Sequence, residues 1–208
     1  ELARRDASLF LRDEGMVELG VGKNMVASIR HWCESLELIS IDGRSGRGKV
    51  EELGDLLFGE DGWDPYLEHP ATLWLLQWQL VRTPAPASTW HYAFTRWDHN
   101  LFRREDLVAW LSKIAIQNGA KKTSLASMRR DVDVFLRTYI SAPPDPRHPV
   151  EDSFDCPLGE LGLIEEVEDG LYQFIRDERA SLPVEIFAFA LGDFWGSSAA
   201  EQDTISFE

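Results

Sequence analysis

A chain of 208 residues, 44% hydrophobic and 27% charged, has the composition of a globular protein and not of a disordered or collagen-like one. The net charge of −15 would by itself argue against nucleic acid as a partner, but the charge is unevenly distributed along the chain. Residues 1–50 are neutral and residues 101–150 carry +4, whereas residues 51–100 carry −6 and residues 151–208 carry −13. No uncharged apolar run approaches the roughly 18 residues of a membrane span, so we expect a cytoplasmic protein.

The first long helical pattern covers residues 23–39, where apolar residues recur at the spacing of one helical face. Shorter helical pieces precede it and are separated from it by a turn that contains Gly20 and Gly22. Two helices joined by such a turn are typical of a helix-turn-helix. The polar face of the long helix either reads DNA or is simply solvated, and it carries Lys23, Asn24, Ser28, Arg30 and His31.

A β-compatible segment then leads into a basic, glycine-rich turn over residues 43–49, GRSGRGK. The turn matches the G-x-x-x-x-G-K core of a phosphate loop, but Val50 stands where the magnesium-binding serine or threonine should be. A wing that contacts the DNA backbone through Arg44, Arg47 and Lys49 is the simpler hypothesis. A plain solvated hairpin is the remaining one.

The middle of the chain is predicted to be a helical core. We expect a short helix around residues 51–58, a buried helix over residues 71–82 and an aromatic helix that begins near Ser88. Pro84 and Pro86 should end the buried helix.

A second helix pair follows in the basic block of the sequence. Asn118 and Gly119 give a stop signal after the first helix, and Thr123 or Ser124 can cap the second. Its cations are a second set of DNA-binding candidates, or an ordinary solvated helix start: Lys121, Lys122, Arg129 and Arg130.

The prolines of residues 143–146 are the best linker candidate, and Asp169-Gly170 predicts a hairpin between residues 163–168 and 171–176. A helix over residues 183–195 is apolar on all sides, which predicts that it is buried.

The predicted fold class is mainly α with small β-hairpins, in a winged-helix or helix-turn-helix arrangement that occurs once or twice. We predict three sections in one compact assembly. Residues 1–58 form a winged-helix-like unit, residues 59–142 a helical core with the second helix-turn-helix, and residues 143–208 an acidic hairpin-plus-helix section.

Catalytic signals are sparse. The five histidines are scattered, and the two cysteines, Cys33 and Cys156, can build neither a disulfide framework nor a four-cysteine zinc site. The acidic residues 60–64 and the pair Asp98 and His99 could supply ligands or a base to a nuclease that uses Mg²⁺ or Mn²⁺, or they are ordinary surface loops. Asp98 and His99 are the first pair to test, because two arginines follow closely.

Two motifs resemble a known bacterial family. Residues 19–26, LGVGKNMV, run into residues 28–33, SIRHWC, and resemble the first signature of domain of unknown function 4007. Residues 155–164, DCPLGELGLI, resemble the second, and the order and spacing of the two motifs extend the resemblance over the whole chain. Family members begin with a short aromatic and histidine-containing stretch that this chain lacks, and they continue into a last element before which this chain stops. We therefore expect a chain that is trimmed at both ends.

The resemblance implies a function in bacterial DNA phosphorothioation, in which sulfur replaces a non-bridging phosphate oxygen and supports defence against phage. It implies a component that binds and nicks double-stranded DNA. The implied partners are a cysteine desulfurase, an ATPase and a sulfur-transfer protein that resembles phosphoadenosine-phosphosulfate reductase. No catalytic residue carries over from the family. A non-catalytic winged-helix adaptor or transcription regulator stays open, as does a scaffold whose acidic C-terminal block binds a basic partner.

Overall fold

The computed structural model describes residues 7–12, 14–119, 124–140, 156–198 and 204. The chain divides into two compact units, Glu1–Ala87 and Ser88–Glu208. The linker expected at residues 143–146 lies outside the described residues. The three predicted sections stay a prediction.

The first unit is helical apart from one hairpin. A 3-10 helix, Ala7–Leu11, comes first, and the other elements are α1 (Glu14–Leu19), α2 (Lys23–Ser35), β1 (Ile39–Asp42), β2 (Arg47–Val50), α3 (Glu52–Phe58) and α4 (Pro70–Arg82). The two strands are antiparallel, and their register pairs Ile39 with Val50 and Asp42 with Arg47. The short helix expected near residues 51–58 and the helix that ends before Pro84 are both confirmed.

The core of the first unit joins the N-terminal 3-10 helix, α2 and the hairpin. Ala7, Phe10, Val26 and Ile39 are buried together, and half-buried apolar side chains of α1, α2 and β1 pack around them. Gly48 on β2 permits this packing, because a Cβ there would overlap the backbone of Ala7 and Ser8. Burying this apolar face of α2 leaves its polar face outside.

The predicted end of the α2 helix was wrong by four residues. The helix stops at Ser35 and not at residue 39, and a turn follows in which Glu37 has a φ of 54°. The Leu38 N–H donates to the Cys33 carbonyl, which closes the helix end and directs the chain into β1. The apolar pattern continued through this turn because Leu36 is half-buried and Leu38 is buried.

The second unit combines helices with a three-stranded sheet. Its elements are α5 (Ser88–Thr95), β3 (Leu101–Arg103), α6 (Arg104–Gln117), α7 (Leu125–Tyr139), a 3-10 helix (Pro157–Leu161), β4 (Ile164–Glu168), β5 (Leu171–Phe174) and α8 (Val184–Ser198). The sheet order is β3-β5-β4, and both pairings are antiparallel. The hairpin at Asp169-Gly170 is confirmed, whereas β3 was not predicted.

Aromatic side chains fill the core of this unit. Phe94 of α5 makes edge-to-face contacts with Phe135 and Tyr139 of α7 and with Phe174 of β5, at centroid distances of 5.2–5.8 Å. Phe102 of β3 stacks on Phe174 at 5.0 Å. These contacts hold the sheet against α5 and α7.

The ends of α6 and α7 follow the sequence signals. Asn118 caps the C-terminus of α6, and Gly119 follows it with a positive φ. The Ser124 hydroxyl accepts a hydrogen bond from the Ser127 N–H at 3.1 Å, so Ser124 is the N-cap of α7.

The prediction that the last helix is buried was wrong. Val184 is 71% exposed, and Phe187, Phe189 and Phe194 are each more than 40% exposed. An exposed apolar surface of this kind is typical of an interaction site. The described part of this chain does not cover these apolar side chains of α8.

The fold class is confirmed in its coarse form, since the described residues are mostly helical with two small antiparallel sheets. No helix among the described residues is long and apolar enough to cross a membrane.

Candidate nucleic-acid interface

The polar face of α2 lies at the protein surface. Lys23, Asn24, Ser28 and His31 are exposed, whereas Arg30 is half-buried and its Nε forms an ion pair with Glu34 at 3.0 Å. No side chain caps the helix N-terminus, where Gly22 stands. The first-turn N–H groups and the Lys23 ammonium therefore give this end of α2 a positive character.

The glycine-rich turn joins two antiparallel strands. A phosphate loop passes from a strand into a helix, so the β2 strand after this turn excludes that interpretation. The Asp42 carboxylate accepts a hydrogen bond from the Arg44 N–H at 2.9 Å, and the Gly46 N–H donates to the Asp42 carbonyl at 2.9 Å. A hydrogen bond from the Ser45 hydroxyl, with that of Arg44, lowers the pKa of Asp42. The turn is thus fixed by its own residues.

The cations of the hairpin differ in their partners. Arg44 and Arg47 are exposed, and neither guanidinium forms an ion pair within the described residues. Lys49 is exposed as well, but its ammonium lies 2.8 Å from the Glu51 carboxylate. Arg44 and Arg47 are therefore the side chains of this turn that can bind phosphate without first leaving a carboxylate.

One cation of the second basic set is paired with a carboxylate. Arg129 forms an ion pair with Glu105 at 3.2 Å, and Glu105 also pairs with Arg104. Arg130 is exposed and has no ion pair among the described residues. Lys121 and Lys122 lie outside the described residues. Among the described members of this set, Arg130 is therefore the cation that is free to contact phosphate.

Asp98 and His99 lie together but do not form a metal centre. Their Oδ1 and Nε2 atoms are 3.5 Å apart, and the side chains are 84% and 69% exposed. The described residues contain no group of three or more His, Cys, Asp or Glu side chains that could hold a metal ion. Two arginines, Arg103 and Arg104, were expected to assist them. Arg104 points its guanidinium at Asp133 and Glu105, and Arg103 Nη1 donates to the Asp169 carbonyl at 3.5 Å. The described residues therefore do not fit the Mg²⁺ or Mn²⁺ site expected for a nuclease.

The other acidic candidate, residues 60–64, has a structural role at its last position. Asp64 is buried and accepts hydrogen bonds from the backbone N–H groups of Glu68 and His69 at 2.9 and 3.0 Å. A hydrogen bond with the Thr72 side chain is the main cause that lowers the Asp64 pKa. This carboxylate fixes the entry into α4 and is not open to a metal.

The two cysteines are not activated nucleophiles. Cys33 and Cys156 are free and half-buried, and burial raises the pKa of each thiol. Burial therefore disfavours the reactive thiolate form of both side chains.

Sequence reasoning missed two features of the surface. One is the contact between Arg104 and Asp133, which are 29 positions apart and follow no motif. The other is the exposure of Trp63 and Tyr66 in an acidic loop. The sequence of this loop did not indicate whether the two aromatic side chains are buried or exposed.

The family model described as "Protein of unknown function (DUF4007)" matches residues 1–208. The chain belongs to the DUF4007 family. Its first signature motif spans the end of α1, the turn and most of α2, and Cys156–Ile164 of the second forms the 3-10 helix and the start of β4. Leu158, Leu161 and Ile164 are buried, so this part of the family signature is a packing element.

Solved structures resemble this DUF4007 chain closely. One is described as "SspB crystal structure" and matches with a TM-score of 0.79 and 33% sequence identity, over 90% of this chain and 57% of the other. Another, "Magnesium ion-bound SspB crystal structure", matches with a TM-score of 0.79 and 32% identity, over 90% of this chain and 58% of the other. The DUF4007 chain thus spans less than two thirds of these structures. No curated protein matches it.

Proposed function

We propose that this DUF4007 protein is the DNA-binding and DNA-nicking component of a bacterial DNA phosphorothioation and antiphage defence system. The similarity to SspB, at 33% identity and a TM-score of 0.79, supports the assignment to such a system. Its partners would be double-stranded DNA and the cysteine desulfurase, ATPase and sulfur-transfer components of the same system.

The hairpin turn carries the DNA-binding part of the proposal. Arg44 and Arg47 stand at either side of a turn whose backbone Asp42 fixes, and both lack a carboxylate partner within the described residues. An exposed turn of this kind can follow a phosphate backbone at low entropy cost, because its shape exists before DNA binds. Such a turn after two helices is the arrangement expected of a wing.

The exposed end of α2 would extend this contact. Lys23 and Asn24 lie in the first helical turn, where phosphate binding is favoured by the N–H groups and the helix dipole. α2 and β1 share the core of Val26 and Ile39, so helix and hairpin belong to one packed unit. Contacts from both would be largely independent of base sequence.

Nicking rests on the family and not on a constellation of described residues. Phosphodiester hydrolysis at neutral pH commonly uses carboxylate-bound metal ions, and magnesium is named for one SspB structure. Asp98 and His99 are the first candidates to test, although no third ligand accompanies them among the described residues. This observation favours, as a second candidate function, a DNA-binding adaptor without nicking activity.

Supercoiled plasmid separates the two functions. The protein is incubated with plasmid in Mg²⁺ or Mn²⁺, with and without excess EDTA, and the products are resolved on a gel. The nickase predicts an open-circular product that EDTA abolishes. Asp98→Ala with His99→Ala tests whether that pair takes part, and nicking that survives in the double variant would exclude the pair. Plasmid that stays supercoiled with either metal, while a gel shift shows bound DNA, would establish the adaptor instead.

A further inference from the structure

The loop between α3 and α4, residues 59–69, presents two large aromatic side chains to solvent. Trp63 is 71% exposed and Tyr66 is 81% exposed, and no described residue packs a ring against either one. Tryptophan and tyrosine are the residues most enriched at the centres of protein interfaces, because each combines a large apolar face with a polar atom.

This loop is held in one conformation by hydrogen bonds to its backbone. The Trp63 N–H donates to the Leu56 carbonyl at 2.9 Å, which fixes the loop to α3. The buried Asp64 carboxylate accepts the Glu68 and His69 N–H groups at 2.9 and 3.0 Å, which closes the loop around Tyr66. A partner that binds the two aromatic rings would therefore not have to order the loop.

The electrostatic surroundings of the rings are acidic. Glu60, Asp61 and Glu68 are exposed on the same loop, and no lysine or arginine occurs between Lys49 and Arg82. A nucleic acid or another acidic surface would be repelled here, whereas a cation would be attracted. Aromatic faces add to this preference because their quadrupole attracts an ammonium or guanidinium group.

We propose that the 59–69 loop is a docking site for an arginine- or lysine-bearing segment of a partner protein. A guanidinium or ammonium group would lie over the Trp63 or Tyr66 ring, while Glu60, Asp61 or Glu68 accepts its hydrogen bonds. The site lies in an acidic part of the chain and does not depend on the DNA-binding function proposed above.

A short cationic peptide tests this proposal on the full chain. The probe is an end-capped peptide of five Arg-Gly repeats, and five Gln-Gly repeats are the neutral control. Binding is followed by calorimetry and by the ¹⁵N-indole resonances, with the Trp63 signal assigned from its loss in Trp63→Phe. We expect the cationic peptide to shift the Trp63 signal and the neutral one to leave it unchanged.

Substitutions locate the peptide, because this protein has other acidic surfaces. Trp63→Ala and Tyr66→Ala should each weaken binding about twofold to fivefold, the value of one exposed cation–π contact, and Trp63→Phe should lose less. Glu60→Gln with Asp61→Asn should weaken binding as well. Val184→Ala is the matched control, since Val184 is 71% exposed outside the loop.

Circular dichroism checks that each variant is folded. If Trp63→Ala unfolds, the affinities of Trp63→Phe and Tyr66→Ala still test the proposal. Binding by Trp63→Ala combined with Tyr66→Ala that equals wild-type binding would place the peptide elsewhere and overturn the proposal. So would no binding at all, equal binding of the neutral peptide, or a Trp63 signal that responds to duplex DNA or lipid vesicles instead.

Discussion

Arg104 at the start of α6 donates two hydrogen bonds to the carboxylate of Asp133 on α7, from Nε to Oδ1 and from Nη2 to Oδ2, the latter at 2.7 Å. The Arg104 guanidinium lowers the pKa of Asp133, and the carboxylate raises the pKa of the arginine in turn. A planar guanidinium that binds a carboxylate through two parallel bonds fixes orientation as well as distance. The pair therefore links the start of α6 to the middle of α7, the helix that carries Arg129 and Arg130.

Replacing Arg104 by alanine should lower the free energy of unfolding by about 1 kcal/mol, because the pair is bidentate but partly exposed. Urea denaturation at neutral pH measures this value. Lys113→Ala is the control, since Lys113 is exposed on the same helix and has no ion pair among the described residues. If the free energy of unfolding changes negligibly in both variants, the Arg104–Asp133 pair does not stabilise the packing of α6 and α7.

The packing of β2 on the N-terminal 3-10 helix depends on Gly48. Gly48→Ala should destabilise the protein by about 2 kcal/mol or more, because the added Cβ meets the rigid backbone of Ala7 and Ser8. Gly43→Ala in the adjoining turn is the control, since a Cβ there meets nothing within 4 Å. Thermal denaturation compares the two variants, and an equal melting temperature would contradict the packing described for the hairpin.

The buried Asp64 carboxylate should make stability depend on pH. Its pKa is lowered in the folded protein, so its contribution is complete above the ordinary aspartate pKa of about 3.9 and is lost as the pH falls through the lower, folded value. Asp64→Asn should cost about 2 kcal/mol at pH 7 and progressively less in acid.

Urea denaturation at several pH values tests this dependence, with the exposed Asp61→Asn as the control. A cost of Asp64→Asn that stays constant as the pH is lowered well below the ordinary aspartate pKa would show that the charge of Asp64 does not matter.

Local signals in the sequence predicted most helices and the tight turns of this fold. Ser124 and Asn118 are capping residues whose effect lies within one helical turn, and Asp169-Gly170 fixes a hairpin by its own backbone preference. Such signals need no knowledge of the rest of the chain, which is why the structure agrees with them.

The features that sequence reasoning missed are set by distant residues. β3 contains only three residues and exists because Phe102 pairs with Tyr172 across the sheet. The neutralisation of Arg129 depends on Glu105, 24 positions away, so a count of basic residues overstated the cationic surface of α7. The exposure of α8 could not be predicted either, because the apolar composition of a helix does not show whether its own chain covers it.

The β1–β2 turn is proposed to bind the phosphate backbone of DNA. Fluorescence anisotropy with a labelled duplex, repeated over a range of salt concentrations, tests it through the slope of log K against log salt. Replacing both Arg44 and Arg47 by alanine should weaken binding to all sequences alike and make the slope shallower by about 0.9 for each phosphate that the variant no longer neutralises. Lys49→Ala should change the slope less, because Glu51 already neutralises that ammonium. An affinity and a salt slope that stay at the wild-type values in Arg44→Ala with Arg47→Ala would contradict the claim.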